Sequence, residues 1–280
     1  MLSTIKKLIP DEIYIKLQYR YHLGEKLNLS SPRKFNEKIQ WLKLYDRKPE
    51  YISYVDKYLV REYIRNKIGE RYLIPLIGVY DNVDEIDWVN LPNSFVLKCT
   101  HGSSSNIICP EKSKLDIKEA NKKLKRWLKK NWYWYGREWP YKYVRPRIIC
   151  EKYMVDESGI ELKDYKIFCF NGEPKLIQVD FGRFSNHQRN IYDTNWNYIN
   201  ASIKYPTNPN KIIEKPKKLD EMLSIAKILS EGIPHIRVDL YSINELIYFG
   251  ELTLYHGSGY EKIVPDTLNI IMGDWLELKV

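Results

Sequence analysis

Asp239 and Glu251 are the residues whose type and spacing point most directly to chemistry. HIRVDLY (235–241) and LIYFGELTL (246–254) read as two strands joined by a short turn. Side chains alternate along a strand, so Arg237, Asp239 and Tyr241 share one face, and Glu251 and Thr253 lie together on the neighbouring strand. Antiparallel pairing would gather two carboxylates, an arginine and a hydroxyl on one patch, with Ile236, Val238 and Leu240 forming core behind it. Two acids at close range repel unless a cation lies between them, and hard oxygen ligands of this kind suit Mg²⁺. An Arg–Asp–Glu ion-pair cluster on a sheet surface fits the same spacing, and spacing alone leaves both readings open.

Three further groups carry weaker signals. In FVLKCTHGSSSN (95–106), Lys98 sits in an apolar strand just before a loop of Gly102, Ser103, Ser104 and Ser105. Backbone N–H groups and hydroxyls of such a loop can wrap phosphate oxygens, and a lysine beside them adds charge. The spacing matches neither GxxxxGK[ST] nor GxGxxG. EKYM (151–154) ends an apolar strand and could offer backbone groups to the edge of a purine. Asp164 and Lys166 share a strand face, with Arg183, His187 and Arg189 downstream; a cross-strand ion pair explains them equally well.

The elements that must position these residues can be read from periodicity. Phe35, Ile39, Leu42 and Tyr45 predict a helix, and Pro49 to Gly69 predicts a second, burying Ile52, Val55, Leu59 and Ile64. DIKEANKKLKRWLKKN (116–131) reads as an amphipathic helix with its lysines in solvent. KDYKIFCF (163–170) and PKLIQVDF (174–181) flank Asn171-Gly172, a strong hairpin signal. A helix using Leu219, Met222, Leu223, Ala226 and Leu229 follows. Helices come first, then mostly hairpins with helices interspersed, which gives an α+β fold with largely antiparallel sheets.

Composition narrows the class. The chain has 280 residues, 44% hydrophobic, with 23 Tyr, 8 Trp and a net charge of +9. That basic excess is spread along the chain, and a purely nucleic-acid-binding role would leave the carboxylate pair unexplained, so nucleic acid is not an expected partner. Cys99, Cys150 and Cys169 lie in apolar runs, where a thiol acts as a small hydrophobe. The start, MLSTIKKLIPDEIYIKL, lacks the apolar core of a signal peptide, which points to the cytoplasm. Its amphipathic character leaves open a peripheral contact with the inner face of the membrane.

Taken in order, VDKYLVREY (55–63), FVLKCTHGSSS (95–105), RIICEKYM (147–154), LKDYKIFCFNGEP (162–174) and IRVDLY with FGELTLYHGSGY (236–260) resemble the ATP-grasp superfamily, most closely its TupA-like branch, named after teichuronopeptide biosynthesis. The resemblance implies two α+β subdomains clasping ATP, divided here as an N-terminal helical segment 1–48, a first nucleotide-binding subdomain 49–150 and a second 151–280. It implies ATP and Mg²⁺ as cofactors. Lys98 and Arg61 are then similar to the family's phosphate-contacting cations, and Gly102, Ser103 and Ser104 to the loop that covers the phosphates. Glu151, Lys152 and Met154 resemble the adenine hinge, and Asp164 the carboxylate that receives the ribose. Asp239 and Glu251 match the metal-binding carboxylates, and Thr253 stands where many relatives have an asparagine ligand. Arg237 looks like the arginine that steadies the reacting oxygens, while Lys166 and Arg189, with His187, are candidates for phosphate or substrate contact.

The implied activity is ATP-dependent carboxylate–amine ligation through an acyl phosphate. The implied partners are a carboxylate-bearing sugar or polymer and an amine or amino acid, in cell-surface polysaccharide assembly. A kinase-like member of the same superfamily would use the same residues. A glycosyltransferase would need a sugar-nucleotide site, often marked by DxD, which the chain lacks. Trp132, Tyr133, Trp134 and Trp139 could stack on sugars or pack at a junction. Oligomeric state is not legible.

Overall fold

A computed structural model describes residues 7–156, 162–182 and 186–278, so Arg183 lies outside the described residues. Two compact units emerge: residues 1–47 with 161–280, and residues 48–160. Residues 1–47 of the segment expected at 1–48 group with residues 161–280, and Lys48 with the other unit.

The unit of residues 48–160 is built on a four-stranded sheet of order β1–β4–β2–β3, with β1 Leu76–Tyr80, β2 Phe95–Cys99, β3 Asn106–Cys109 and β4 Ile148–Lys152. All neighbours are antiparallel. Phe95, Leu97 and Cys99 alternate onto one face and form the core with Ile107, Ile148, Cys150, Ala120 and Leu124. Helix α5 (Ile117–Leu128; α1 to α4 are placed below) supplies Ala120 and Leu124 from its apolar stripe. Asp116 caps it by accepting from the Glu119 N–H at 2.9 Å, a cap worth about 1 kcal/mol. Alternation then sends Lys98 and Glu151 to the opposite face of the sheet, away from this core. Burial pushes the thiols of Cys99 and Cys150 up to about 12, as it does that of Cys169 in the other unit. These cysteines are inert core residues, as their apolar context suggested.

The helix expected from Pro49 to Gly69 is two helices, α3 (Tyr51–Val55) and α4 (Val60–Lys67). Asp56 causes the break. It leaves helical geometry at ψ 113°, and its fully buried carboxylate accepts from the N–H groups of Tyr58 (2.8 Å) and Leu59 (3.2 Å) and from Arg147 (3.1 Å). A short acidic side chain that satisfies nearby N–H groups outcompetes the helical ladder there. The rotation exposes Leu59 and buries Arg61 instead. The aromatic connector packs as helix α6 (Tyr133–Gly136) and a 3₁₀ turn over Trp139–Lys142; Tyr133 and Trp139 are buried, so neither presents a ring face to a sugar.

In the other unit, helices α1 (Asp11–Leu23) and α2 (Phe35–Tyr45) precede a six-stranded antiparallel sheet of order β11–β10–β5–β6–β7–β8. Its strands are β5 Asp164–Phe170, β6 Glu173–Phe181, β7 Gln188–Asp193, β8 Tyr198–Ile199, β10 His235–Ile243 and β11 Leu246–Thr253. A short ladder joins β9 (Ser202–Ile203) to β12 (Ile263–Val264). Ile236, Val238, Leu240, Ile167, Ile177 and Val179 form the apolar face, covered by α7 (Leu219–Ser230) through Met222, Ile225, Ala226 and Leu229. The hairpin turn at Asn171-Gly172 adopts φ of 48° and 86°, the left-handed pair that such a turn requires. Helix α2 packs on α8 (Asp266–Trp275) and on the turn His256–Gly259.

Candidate active site

In the 48–160 unit, two sequence-predicted cations meet around a third predicted residue, the carboxylate of Glu151. Glu151, 6% exposed, takes Arg61 Nη1 on Oε1 at 3.0 Å and Lys98 Nζ on Oε2 at 2.7 Å. Arg61 also donates to the Ile74 carbonyl at 2.8 Å. Burial lowers the Arg61 pKa, and Glu151 works against that shift. Glu151 thus contributes a buried side chain that gathers two cations, where a backbone hinge was expected. Lys152 is exposed and Met154 lies beyond the end of β4, so neither joins this cluster.

The Gly–Ser loop closes between β2 and β3, with the Cys99 N–H bonded to the Ser105 carbonyl at 2.9 Å. Ser103 and Ser104 are exposed, Ser104 with φ 56°, and Gly102 is buried against Trp132. A Cβ at Gly102 would stand 2.0 Å from the Trp132 ring, so only glycine allows this approach. Lys57 donates to the Gly102 carbonyl at 2.8 Å, a cation at the loop that spacing gave no reason to single out.

The polar face of the six-stranded sheet collects the rest. Asp239 is paired across the sheet with Glu251 on one side and Lys166 on the other; Lys166 faces Gln178, Asp164 faces Asp180, and Asp180 faces Arg189. Directly opposed residues share a face, so the predicted residues form one charged surface. Arg237 binds Asp239 through Nε (2.6 Å) and Nη2 (2.7 Å), reaches Glu251 Oε1 at 3.0 Å, and donates to His256 Nδ1 at 2.7 Å. The Thr253 hydroxyl donates to Glu251 at 3.3 Å. Lys166 forms an ion pair with Asp164 and lies 3.3 Å from Asp239 and 3.7 Å from Asp180. Arg189 binds Asp180 at 2.6 Å and Glu261 at 3.3 Å, and His187 lies 3.2 Å from Asp180.

Burial works against the Arg237 charge, but Asp239, then Glu251 and Asp164, hold it firmly protonated. Burial pushes Asp239 up to about 6, Arg237 and Lys166 pull it down, and Asp164 and Glu251 add to the rise. Burial also pushes His256 down to about 4, so its imidazole is neutral at pH 7 and its Nδ1 can accept from Arg237. Glu261 feels the same burial, yet His256, Arg189 and Lys204 hold its carboxyl well below the usual range.

The sequence reading missed Asp180, His256 and Glu261. Asp180 was recoverable, since it alternates with Gln178 on a strand paired to Asp164. His256 and Glu261 follow the last strand without periodicity to mark them. Among the described residues, no group of three or more His, Cys, Asp and Glu side chains forms a metal site of its own. Asp239 and Glu251 still fit Mg²⁺, which takes one or two carboxylates and fills its shell from substrate phosphates and water.

A family model for TupA-like ATP-grasp matches residues 37–277. The chain belongs to that family. ATP-grasp ligases are ATP-dependent carboxylate–amine ligases that use Mg²⁺, and the α+β architecture with antiparallel sheets is in keeping with theirs. Among solved structures, the chain is similar to a D-alanine–D-alanine ligase from Helicobacter pylori, at 13% identity and TM-score 0.45, covering 89% of this chain and 68% of that one. It is also similar to a Bacillus anthracis D-alanine–D-alanine ligase complexed with ATP (14%, TM-score 0.46, 80% and 63%). A third is the Staphylococcus aureus N5-carboxyaminoimidazole synthetase complexed with ADP (16%, 0.45, 89% and 61%). The TupA-like chain thus spans between 61% and 68% of these chains' lengths. No curated protein matches it.

Proposed function

We propose that this TupA-like ATP-grasp protein joins an amine or amino acid to a uronic-acid-type carboxylate of a sugar or polymer, in cell-surface polysaccharide assembly. The observation that carries the reading is the pair of cationic sets, Arg61 with Lys98 around Glu151, and Arg237, Lys166 and Arg189 on the acidic sheet face. Phosphoryl transfer asks a protein for positioning and charge neutralisation more than for covalent work, and buried cations held at fixed angles supply both.

In this reading a carboxylate oxygen attacks the γ-phosphorus of ATP, the bond to the bridging oxygen breaks, and ADP leaves. The amine nitrogen then attacks the acyl carbon and sheds a proton as the C–O bond to phosphate breaks. Lys98 and Arg61 exchange Glu151 for phosphate oxygens. Gly102, Ser103 and Ser104 cover the phosphates and keep water from the acyl phosphate. Glu151, Lys152 and Met154 bound the adenine, and Asp164 accepts from the ribose. Arg237 faces the charge that develops on the reacting oxygens, with Lys166 and Arg189 beside it. Asp239 and Glu251, with the Thr253 hydroxyl at hand, would hold Mg²⁺, which supplies further neutralisation at the phosphates.

A peripheral contact with the inner face of the membrane belongs to the same reading. No helix among the described residues is long and apolar enough to cross a membrane. On α1, however, Ile13, Leu17 and Tyr21 lie four residues apart along one exposed line, beside Arg20 and Lys16, the latter paired with Glu12 at 2.5 Å. An apolar stripe flanked by cations complements an anionic lipid surface. The activity itself is tested by screening uronic acids with amino acids for Mg²⁺–ATP-dependent ADP release and an amide product. ADP release with a phosphorylated acceptor and no amide would assign the site to phosphotransfer instead.

A further inference from the structure

Helix α2 faces the turn 256–261 with three polar side chains at helical spacing, Asn36, Gln40 and Lys43, each buried to 2% exposure or less. All three donate to backbone carbonyls of that turn. Asn36 Nδ2 reaches Gly259 (3.1 Å) and Glu261 (2.9 Å). Gln40 Nε2 reaches Ser258 (3.0 Å) and Gly259 (2.9 Å). Lys43 Nζ reaches the Ser258 carbonyl (2.5 Å), its hydroxyl (2.9 Å) and Gln40 Oε1 (2.9 Å). Gly257 and Gly259 hold φ of 54° and 65°, and a Cβ on Gly259 would stand 2.4 Å from Gln40 Nε2. The turn is therefore shaped to its clamp.

Such a clamp is a costly way to seat a turn. A fully buried lysine loses its hydration, and an apolar contact would hold a turn with less penalty. What the clamp adds is a fixed position, and the two side chains at the ends of the turn are those that touch the charged sheet face. At one end His256 accepts from Arg237 Nη1 at 2.7 Å. At the other, Glu261 Oε2 lies 3.3 Å from Arg189 Nη1 and 3.2 Å from His256 Nε2, while Oε1 takes Lys204 at 3.0 Å. One turn thus contacts both arginines, and the Ile203 carbonyl shares Arg189 Nη1 with it at 2.8 Å.

We infer that His256 and Glu261 are positioning residues for Arg237 and Arg189, and that Asn36, Gln40 and Lys43 set their geometry from the N-terminal helix. The inference deepens the proposed ligase site and rests on that reading for its effect on turnover. A guanidinium with a partner on each arm cannot rotate about its Cζ–Nε bond, so it meets developing charge without reorganising. Losing the His256 contact frees one arm of Arg237 while leaving its two bonds to Asp239 and its bond to Glu251.

The test uses the full chain with Mg²⁺–ATP as the probe, and the variants His256→Leu, His256→Asn and Lys43→Met. Asparagine can place an amide oxygen near the Nδ1 position and restore the acceptor; leucine cannot. With nucleotide absent, ¹⁵N NMR of the Arg237 guanidinium is expected to show faster Cζ–Nε rotation in His256→Leu and Lys43→Met, and near wild-type rotation in His256→Asn. With Mg²⁺–ATP and a uronic acid and amino acid that support turnover in wild type, the kcat of ADP release is expected to fall at least tenfold in His256→Leu, with KM within threefold of wild type, and to recover in His256→Asn. Unchanged rotation in His256→Leu and Lys43→Met overturns the inference whatever ATP does. Equal loss of kcat in His256→Leu and His256→Asn overturns it too. A wild type that releases no ADP with any of the uronic acids and amino acids screened, while the rotation results hold, would overturn the ligase reading alone.

Discussion

Replacing Glu151 with glutamine keeps the shape of the side chain and removes the charge that Arg61 and Lys98 share. Their side chains are 8%, 11% and 20% exposed respectively, so little water is at hand to replace the lost partner. Breaking a buried ion pair from one side costs about 3–5 kcal/mol. Lys98, the most exposed of the three, can turn toward solvent, which puts the expected loss near the lower end, at about 3 kcal/mol. At roughly 2–4 °C per kcal/mol for a chain of this general size, the Tm of the nucleotide-free protein should drop by about 6–12 °C. Saturating Mg²⁺–ATP should shrink the deficit, because phosphate oxygens then serve both cations as counter-charge. The assay is thermal denaturation of wild type and Glu151→Gln, with and without Mg²⁺–ATP. A loss below about 1 kcal/mol, as for a solvent-exposed pair, would refute the structural reasoning. An undiminished deficit with ATP present would refute the assignment of those cations to phosphate.

Other expectations follow from the sheet face and its surroundings. Asp239→Asn and Glu251→Gln should each lose well over tenfold in Mg²⁺–ATP-dependent ADP release while circular dichroism stays native; near-normal turnover in both would remove the metal assignment. His235 is wholly buried among Phe35, Phe168 and Phe170, and burial pushes its imidazole down to about 3. A histidine with a depressed folded-state pKa contributes stability that is fully present above its unfolded value of about 6.5 and is lost as pH falls toward 3. Denaturation midpoints should therefore decline across that window in wild type, with a shallower slope in His235→Phe; identical slopes would contradict the account. Leu17→Glu on α1 should abolish co-sedimentation with phosphatidylglycerol vesicles and leave ADP release intact. Binding unchanged by the substitution, or none in wild type, would argue against the membrane contact.

Much of this architecture could be read locally. FVLKC announced β2 at its observed bounds because its alternation and its loop are contained in a dozen residues. Asp239 and Glu251 could be assigned to one charged patch because strand alternation puts Asp239 with Arg237 and Glu251 with Thr253. Counted from the turn, Leu240 pairs with Phe249 and an unbroken ladder would set Asp239 opposite Gly250; the irregularity between Asp239 and Leu240 brings Glu251 opposite Asp239 instead, and alternation alone gave no sign of it. The break at Asp56 was not legible because an aspartate inside a helical pattern does not announce that its carboxylate is buried and turned onto the Tyr58 and Leu59 N–H groups, a position shared with Arg147, 91 residues away. The clamp of α2 on the turn 256–261 was illegible for the same reason. Asn36 and Gln40 read as ordinary polar positions of a helix, and their partners lie more than 200 residues along the chain. Glu151 could be recognised as part of a motif, yet its role as shared counter-charge needed the register of β2 against β4.

The most direct test of the central claim is the thermal stability of wild type and Lys98→Ala with and without Mg²⁺–ATP. A ligand at about 100 times its Kd that binds only the folded state adds about 2.7 kcal/mol, a shift of several degrees. The account predicts a Mg²⁺-dependent rise in Tm for wild type that is largely lost in Lys98→Ala. A folded wild type with no shift at millimolar ATP, or a variant that shifts as far as wild type, would contradict it.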